Sequence, residues 1–531
     1  MRPTCTVACL FLTVAALAQQ PIAPAPIVPA PADPAIAAAL QHVSPDRIQA
    51  DIAKLVTFNN RSTLSSMNTG LAPGTGVLAA SDWIFAEFNR ISAACNHCLT
   101  VQRDDFVEPP QAGPLARILK PTRIVNVYAV LHGSDPAQSS RRVLVTGHYD
   151  SRNSDNFNTR DAAPGANDDA SGVAVSLECA RVLSTSGIKF PATIVFVAVA
   201  GEEQGLNGSA HLARLAKSEG WQLEAVLNND IVGGDTTPGD GAAARQPAQD
   251  KSAVRVFSEG VPGASSLDDL HKIQIVGAES DSPSRELARA ILDVSATYFK
   301  PGVQHAAPVA GGRARSNVVR FVPAFHPVLI FRRDRFLRGG DHSSFNLEGF
   351  PAVRFTEWRE NFDHQHQNVR VAPEGQASAT GSAASPNSAP ASASTVQYGD
   401  LLQFVDPEYV ANVARLNAAT LAVLALAPAP PQNVRVLTTD LDNNTTLTWQ
   451  PPAGLPATAS YEIVWRDTTA PTWTDFQAVP NHDATSITIP LSKDNVIFGV
   501  RSVDPAGHRS VAVYPAASRT TPTFPQPTPS K

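Results

Sequence analysis

The sequence of 531 residues predicts an α/β protein with a mixed, largely parallel sheet flanked by helices, followed by a small C-terminal all-β sandwich. Two strand-like runs, 141–150 and 192–201, are separated by an apolar helical pattern at 170–183. This strand–helix–strand order is typical of a sheet with parallel pairs. From 433 to 515, short β-rich runs alternate with turns and helical spacing disappears, which predicts the sandwich.

The N-terminus has the pattern of an export signal. Residues 1–18 combine a positive start at Arg2, an apolar run and a small-x-small ending. The run is shorter than the roughly 20 apolar residues of a membrane span. We therefore expect a secreted or periplasmic protein without a membrane span. Residues 19–40 are rich in proline and alanine, which predicts an extended linker.

Residues 41–427 are predicted to form the larger domain, because apolar residues recur there with helical or strand spacing. The predicted helices are 44–57, 81–91, 170–183, 282–299 and 406–427, and the predicted strands are 124–133, 141–150, 192–201 and 224–232. A stretch rich in Ala, Ser, Gly and Pro predicts a flexible insertion at 372–398. After a linker, residues 430–515 form the predicted sandwich, and 516–531 form a Pro/Thr-rich tail.

The composition excludes several classes of protein. Charged residues make up 17% of the chain and the formal net charge is −6, while proline is abundant at 44 residues. These values exclude a coiled coil, a highly charged disordered chain and a basic nucleic-acid binder. The proline excess predicts local linkers rather than general disorder.

Three cysteines remain after the predicted signal is removed, and two of them form the C-x-x-C of Cys95 and Cys98. Such a pair is a redox motif, half of a zinc site or a local disulfide. An exported chain favours the disulfide, and a structural zinc site would need a second such pair. Cys179 lies in an apolar run and is predicted to be a buried thiol.

Five short polar patches stand at or just after the ends of predicted strands, where open α/β sheets bind ligands. They are GHYD at 147–150, GANDDASG at 165–172, GEEQG at 201–205, NND at 228–230 and GGDHSSF at 339–345. Taken singly, each has an ordinary structural explanation, such as a helix cap or a solvated turn. Together, two histidines and several carboxylates make a nitrogen–oxygen ligand set that suits zinc.

The order of these patches resembles that of the dinuclear zinc aminopeptidases of the exported bacterial type, whose relatives include glutamate carboxypeptidases and glutaminyl cyclases. The resemblance covers roughly residues 40–427 and is weakest over 235–330. It implies two Zn²⁺ per chain and peptide or protein substrates with a free N-terminus. His148 and Asp230 match the ligands of one zinc, Glu203 and His342 those of the other, and Asp168 the carboxylate that bridges both.

The same resemblance implies catalytic roles for two further carboxylates. Glu202 matches the general base, and Asp150 matches the carboxylate that orients a ligating histidine. The family also has a cis peptide after the bridging aspartate, which here is Asp168-Asp169. No residue of the five patches matches the family's donor for the developing oxyanion, and Tyr298 is a candidate from outside them.

An arginine-rich loop, FRRDRFLRGGDH at 331–342, precedes one predicted ligand. Arg335 and Arg338 are candidate substrate-binding residues that would contact a substrate carboxylate or the oxyanion. The alternative is a solvated loop whose arginines pair internally, for example with Asp334.

Residues 430–515 resemble a fibronectin type III domain, with Trp449 at the position of an early-strand core tryptophan and a VDPAGHRS ending. Nothing in the sandwich identifies a ligand, so a structural spacer is favoured over an adhesion or substrate-presenting module.

The predicted function is therefore an exported zinc exopeptidase of the aminopeptidase type. A carboxypeptidase, dipeptidase or glutaminyl cyclase of the same family is the alternative among enzymes. A non-catalytic adhesion or receptor-like protein is the alternative from another class, and we expect such a protein to lack ligands or the base. The preferred substrate residue and the oligomeric state do not follow from the sequence.

Overall fold

A computed structural model describes residues 23–238, 248–299, 301–305, 319–373 and 395–519, so the predicted signal at 1–18 lies outside the described residues. The helices are α1 Pro34–Leu40, α2 Pro45–Val56, α3 Val77–Ala94, α4 Ala170–Ser184, α5 Asn207–Ser218, α6 Leu267–Val276, α7 Pro283–Tyr298, α8 His342–Leu347 and α9 Pro407–Leu426. The first thirteen strands are β1 Ala25–Pro26, β2 Leu99–Glu108, β3 Thr122–Leu131, β4 Arg141–His148, β5 Thr193–Val199, β6 Gln222–Asn229, β7 Ala253–Ser258, β8 Pro301–His305, β9 Val319–Pro323, β10 His326–Ile330, β11 Ala352–Glu357, β12 Arg370–Pro373 and β13 Thr395–Tyr398. The remaining strands are β14 Gln432–Leu437, β15 Thr445–Gln450, β16 Ser460–Asp467, β17 Asp475–Val479, β18 Ser486–Ile489, β19 Val496–Val503 and β20 Ala516–Ser518.

The larger domain is built on an eight-stranded sheet with the order β10-β7-β11-β6-β4-β5-β3-β2. The pairs β10–β7, β11–β6, β6–β4 and β4–β5 are parallel, and the other three are antiparallel. The predicted mixed, largely parallel sheet is therefore confirmed. The parallel strands β5, β4 and β6 lie side by side, so their carboxyl ends share one edge of the sheet.

Helices cover both faces of this sheet. On one face, α2, α3, α4 and α9 pack into a single apolar core with inward residues of β3, β4 and β5. On the other face, α5 and α8 cover a smaller cluster that includes Leu212 and Phe345. Strands buried on both faces read as continuous apolar runs, as β5 does with every residue buried. Both faces are thus closed, and polar groups are concentrated at the strand ends.

Helix α9 is the one helix of the described residues that is long and apolar enough to cross a membrane. Of its most apolar window, 83% is buried inside the protein. Asp406 caps its N-terminus by accepting hydrogen bonds from the backbone N–H groups of Glu408 and Tyr409, and Pro407 occupies the first turn. The helix therefore serves as the central core helix of the α/β domain.

The C-terminal part folds into two four-stranded sheets with the orders β1-β17-β16-β19 and β18-β15-β14-β20. Buried side chains such as Leu447, Trp449 and Ile463 fill the space between them. The predicted all-β sandwich is therefore present, while its resemblance to fibronectin type III stays a prediction.

Two segments that were expected to be irregular contribute to the folded structure. Within the predicted 19–40 linker, β1 adds a strand to the sandwich, and α1 buries Ile36 completely in the α/β core. Asp33 caps α1 and Pro34 follows it, so composition alone concealed a regular helix start. Within the predicted 516–531 tail, β20 pairs with β14.

Two further expectations concern local features. Cys95 and Cys98 form a disulfide just after α3, and Cys179 is a buried free thiol. The predicted insertion at 372–398 begins and ends in the antiparallel pair β12–β13, and its residues 374–394 lie outside the described part of the chain.

Candidate active site

Three neighbouring strands deliver predicted site residues to one edge of the sheet. His148 is the last residue of β4, Glu202 and Glu203 follow β5, and Asp230 follows β6 directly. Because these strands are parallel and adjacent, their ends bring the side chains together. The order of the polar patches in the sequence therefore corresponds to a single cluster in space.

Asp168 reaches the same cluster from the loop before α4, and the peptide bond between Asp168 and Asp169 is cis. Asp169 caps α4, since its Oδ1 accepts a hydrogen bond of 2.9 Å from Gly172 N. Its other oxygen, Oδ2, accepts one of 3.0 Å from His148 N. The two consecutive aspartates thus have different roles. Asp168 belongs to the cluster, and Asp169 binds backbone N–H groups next to it.

The ligand atoms of the cluster fall into two groups of three, and within each group these atoms lie within 4.8 Å of one another. The groups are His148, Glu202 and Asp230, and Asp168, Glu203 and His366. They also adjoin each other, because His148 Nε2 lies 3.2 Å from Asp168 Oδ1. The arrangement offers two neighbouring places for a cation, with Asp168 next to both.

His342 lies outside this cluster, which corrects the sequence prediction for that residue. It starts α8 and is fully buried, and its Nε2 lies 2.8 Å from the Arg333 carbonyl oxygen. Burial lowers the pKa of His342 to about 4, so the ring is neutral. The histidine beside Glu203 is His366 instead, whose Nε2 lies 2.8 Å from Asp168 Oδ2 and 3.2 Å from Glu203 Oε1.

The donor set fits zinc. His148 Nε2 and Glu203 Oε1 are buried without a hydrogen-bond partner among the described residues, although each faces other ligand atoms. Orphaned buried acceptors of this kind are costly unless a cation or ordered water satisfies them. Imidazole nitrogens combined with carboxylate oxygens are the ligands that zinc takes at catalytic sites.

The electrostatics of the cluster follow from burial and close charges. Burial raises the pKa of Glu202 well above its usual range, against the opposing effect of His148. Burial would also raise the pKa of Glu203, but His366 and Arg152 outweigh it and hold the value at about 2. Burial alone would lower the pKa of His366. The carboxylates of Glu203 and Asp168 outweigh that effect and raise the pKa to about 9. Of these two adjacent glutamates, Glu202 therefore holds a proton much more readily than Glu203 does.

Asp150 lies below the cluster and is fully buried. Its Oδ1 lies 3.5 Å from His148 Nδ1, and its backbone oxygen lies 3.2 Å from the same nitrogen. Its carboxylate also accepts hydrogen bonds of 3.3 Å from the backbone N–H groups of Glu202 and Glu203. Asp150 therefore fixes the imidazole of His148 relative to the two glutamates.

Two residues that support the ligand cluster were not predicted from the sequence. Arg354 of β11 is fully buried and donates a hydrogen bond of 2.7 Å from Nη2 to Asp230 Oδ1. Asp400, after β13, accepts hydrogen bonds of 2.8 and 2.7 Å from the backbone N–H groups of Asn167 and Asp168. Neither belongs to a recognisable motif, so only the folded structure reveals them.

The cluster opens into a cavity of about 270 Å³. Its lining includes Arg335 and Arg338 together with Glu202 and Asp168. Both arginines also form ion pairs with Glu360. They therefore line the cavity and are also paired with a carboxylate of the protein itself. Tyr298 is remote from this cavity: its hydroxyl accepts a hydrogen bond of 3.2 Å from Asp33 N.

Comparisons with known proteins agree on one family. A family model described as peptidase family M28 matches residues 126–268. A probable zinc metalloprotease of Leptosphaeria maculans is 40% identical over 480 residues, which cover 90% of this chain and 96% of the relative. A probable zinc metalloprotease of Pyrenophora teres is 41% identical over 483 residues, covering 90% of this chain and 86% of the relative.

Solved structures with a similar chain path are more distant. The LapA aminopeptidase of Legionella pneumophila is 17% identical with a TM-score of 0.44, and the match covers 74% of each chain. A glutaminyl cyclase of Porphyromonas gingivalis is 16% identical with a TM-score of 0.41, covering 71% of this chain and 97% of the other.

Proposed function

The chain belongs to peptidase family M28 and is a zinc metalloprotease, and from this premise we propose that it is an exported aminopeptidase that binds two zinc ions. The observation that carries the proposal is the pair of neighbouring ligand groups, one of which includes Glu202, at one cavity. His148 and Asp230 would hold one ion, Glu203 and His366 the other, and Asp168 both. A protein that had kept only the fold would be expected to lack one of these groups.

Zinc, when bound, supplies Lewis acidity that activates water and polarises a carbonyl group. Glu202 is the general base in this proposal: it lines the cavity, and its carboxylate lies in the same group as His148 and Asp230. It takes the proton from the attacking water and passes it to the leaving amine. Asp150 holds the His148 ring in place during these steps.

The exopeptidase type is supported by the size of the cavity. A space of about 270 Å³ has room for a small part of a peptide, as the removal of a terminal residue requires. The acidic wall, with Asp168, Glu202 and Asp230, is where zinc would be held, and the free N-terminal amine of a substrate would bind there as an unprotonated donor. We therefore place the free N-terminus against this wall.

Export is supported by the signal pattern at 1–18 and by the Cys95–Cys98 disulfide, since disulfides persist in oxidising compartments. We propose a secreted or periplasmic location. We also propose that the sandwich is a fibronectin type III-like domain, based on its two sheets and the buried Trp449.

A substrate panel combined with metal analysis tests this function. The full chain, loaded with zinc and freed of excess metal, is assayed on amino-acyl peptides and on the same peptides with a blocked N-terminus. We expect two zinc ions per chain and hydrolysis of the free peptides only. Equal hydrolysis of blocked peptides would contradict the aminopeptidase type, and one zinc with cyclisation of N-terminal glutamine would favour a glutaminyl cyclase.

A further inference from the structure

The cavity of the active site is lined by both acidic and basic side chains. The four acidic residues of the lining, Asp168, Glu202, Glu203 and Asp230, all belong to the two ligand groups. The basic residues of the lining are Arg117, Arg152, Arg335 and Arg338. Once cations neutralise the acids, the remaining fixed charge of the wall is positive, which attracts anionic ligands.

Two of these arginines have their hydrogen-bonding capacity largely filled. Arg335 is 10% exposed and binds Asp334, Glu360 and the Gly339 carbonyl oxygen. Arg152 donates from Nε to Glu203 Oε2 at 2.8 Å and from Nη1 to the Asn153 carbonyl oxygen at 3.3 Å, and its Nη2 lies 2.5 Å from His366 Nδ1. Both therefore organise the protein and have little capacity left for a substrate.

Arg338 differs, because its side chain is 32% exposed and only one nitrogen is engaged. Its Nη1 donates a hydrogen bond of 3.0 Å to Glu360 Oε2. Among the described residues, its Nε and Nη2 make no hydrogen bond. Nη1 therefore fixes the position of the guanidinium, while Nε and Nη2 remain available as donors. Two neighbouring donors of this kind can bind a carboxylate with two parallel hydrogen bonds.

Arg117 is the second arginine with free donors. It comes from the loop between β2 and β3 and is exposed, and its Nη1 donates a hydrogen bond of 2.8 Å to the Glu203 carbonyl oxygen. In the part of the chain that the structure describes, it has no carboxylate partner. An arginine so close to a ligand residue, without a counter-ion, is a second cation available to an anionic ligand.

We propose that Arg338 and Arg117 form a carboxylate-binding subsite in the lining of the active-site cavity. The preferred substrates are then short peptides with a carboxylate near the scissile bond. That carboxylate is either the side chain of an acidic N-terminal residue or the C-terminal carboxylate of a dipeptide. The inference rests on the proposed aminopeptidase function and deepens it by naming the substrate class.

Paired substrates that differ only in this charge test the proposal with the zinc-loaded full chain. One arm compares glutamyl with glutaminyl 4-nitroanilide, and the other compares leucyl-leucine with leucyl-leucine amide. We expect the acid-to-amide ratio of kcat/KM to be at least about tenfold in one arm, because hydrogen bonds between charged groups are among the stronger ones. The arm that shows the preference identifies the source of the carboxylate.

Arg255 supplies a matched control. It pairs with the opposite oxygen of the same Glu360 carboxylate, Oε1, at 2.9 Å, but it does not line the cavity. We expect Arg338→Gln and Arg117→Gln each to lower the acid-to-amide ratio about tenfold, and Arg255→Gln to preserve it. Arg338→Lys, which keeps the charge, should retain more of the ratio than Arg338→Gln, and this second variant distinguishes lost charge from lost folding.

Failure of the subsite differs from failure of the function itself. If the wild-type protein cleaves free N-terminal peptides with a ratio near one in both arms, the subsite is refuted and the aminopeptidase function stands. Equal losses of the ratio in Arg338→Gln and Arg255→Gln would also refute the subsite. If the wild-type protein cleaves no free N-terminal peptide in either arm, the proposed function itself is refuted, and the subsite with it.

Discussion

Asp169 shows how much a single side chain organises at this site. Its carboxylate accepts hydrogen bonds from the backbone N–H groups of His148, Gly172 and Ile231 at 3.0, 2.9 and 3.3 Å. These groups belong to the end of β4, the start of α4 and the turn after β6. One buried residue therefore fixes the relative positions of three segments that carry ligands, before any cation binds.

We predict that Glu202→Gln retains both zinc ions but loses most activity. The substitution keeps the size of the side chain and removes its capacity to accept a proton, and general base catalysis typically contributes about 10²–10⁴-fold. Metal analysis and kcat on one free N-terminal peptide measure the two effects separately. Turnover near that of the wild type would rule out Glu202 as the base.

His366 and His342 give opposite expectations for metal content. His366 lies 3.2 Å from Glu203 Oε1, whereas the His342 ring is engaged with the Arg333 carbonyl oxygen. We predict that His366→Asn binds one zinc ion fewer than the wild-type protein and that His342→Asn binds the same number. Metal analysis after dialysis decides between them, and the reverse result would restore the ligand that the sequence favoured.

The reason that His366 escaped prediction is physical. The sequence shows the histidine pair His364 and His366 in a polar stretch. It does not show that this stretch follows β11, which lies beside β6 and runs parallel to it. His342, by contrast, stands next to glycines in the motif GGDHSSF, and that motif favours it as a ligand. Residues that follow recognisable strands could be assigned from the sequence, and those that depend on an unrecognised strand could not.

Among the elements, β11 and the residues after β13 support the site from outside the predicted strands. Arg354 of β11 binds both Asp230 and the Gly339 carbonyl oxygen, at 2.7 and 2.9 Å. Asp400 holds the backbone of Asn167 and Asp168. The ligand-bearing loops are thus braced by segments from late in the chain, which local sequence patterns do not reveal.

The loop between β7 and α6 is expected to make stability depend on pH. Burial raises the pKa of Glu259 to about 7, and its carboxylate accepts a hydrogen bond from Gly263 N at 3.1 Å. The protonated form is the one that the fold favours, so its contribution is complete below the unfolded pKa of about 4.5 and is lost as pH rises through about 7.

We therefore predict that the melting temperature of the wild-type protein falls, relative to Glu259→Gln, between pH 5 and pH 8. Glutamine mimics the protonated acid and keeps the acceptor for Gly263. Measuring both proteins in excess chelator removes the separate effect of metal binding on stability. A difference in melting temperature that does not change with pH would contradict the raised pKa.

The apolar strands and the long amphipathic helices were predictable because burial imposes their spacing on the sequence. The segments α1 and β1 were not, since their proline and alanine content is equally typical of a linker. Asp33 followed by Pro34 was the available local indication of a helix start. These residues adopt regular secondary structure because they pack against the rest of the fold, and their composition alone does not predict it.

In the whole molecule, the sandwich is joined to the α/β domain through buried charges. Arg466 of β16 donates a hydrogen bond of 2.5 Å to Asp281 Oδ1, with both side chains almost fully buried. Trp473 Nε1 donates one of 3.0 Å to Glu286 Oε2, and Arg501 pairs with Asp293 at 2.9 Å. The sandwich is therefore fixed to helix α7 and the turn before it, which is more than a flexible spacer requires.

We predict that Arg466→Ala lowers the free energy of unfolding by about 3–5 kcal/mol, because it leaves the buried Asp281 without its closest partner. Arg435→Ala serves as the control, since Arg435 is an exposed arginine of β14 in the same sandwich. Denaturant unfolding of the two variants measures the difference. A loss below about 1 kcal/mol, the range of exposed ion pairs, would show that the contact does not hold the domains together.

The pairing of β1 with β17 has a consequence for the order of events during synthesis. Ala25 and Pro26 pair with Phe476 and Asp475, about 450 residues later in the chain. At translation rates of roughly 5–20 residues per second, the partner strand emerges about 20–90 s after β1. The segment that leaves the ribosome among the first must therefore wait for nearly the whole chain before it finds its place in the sandwich.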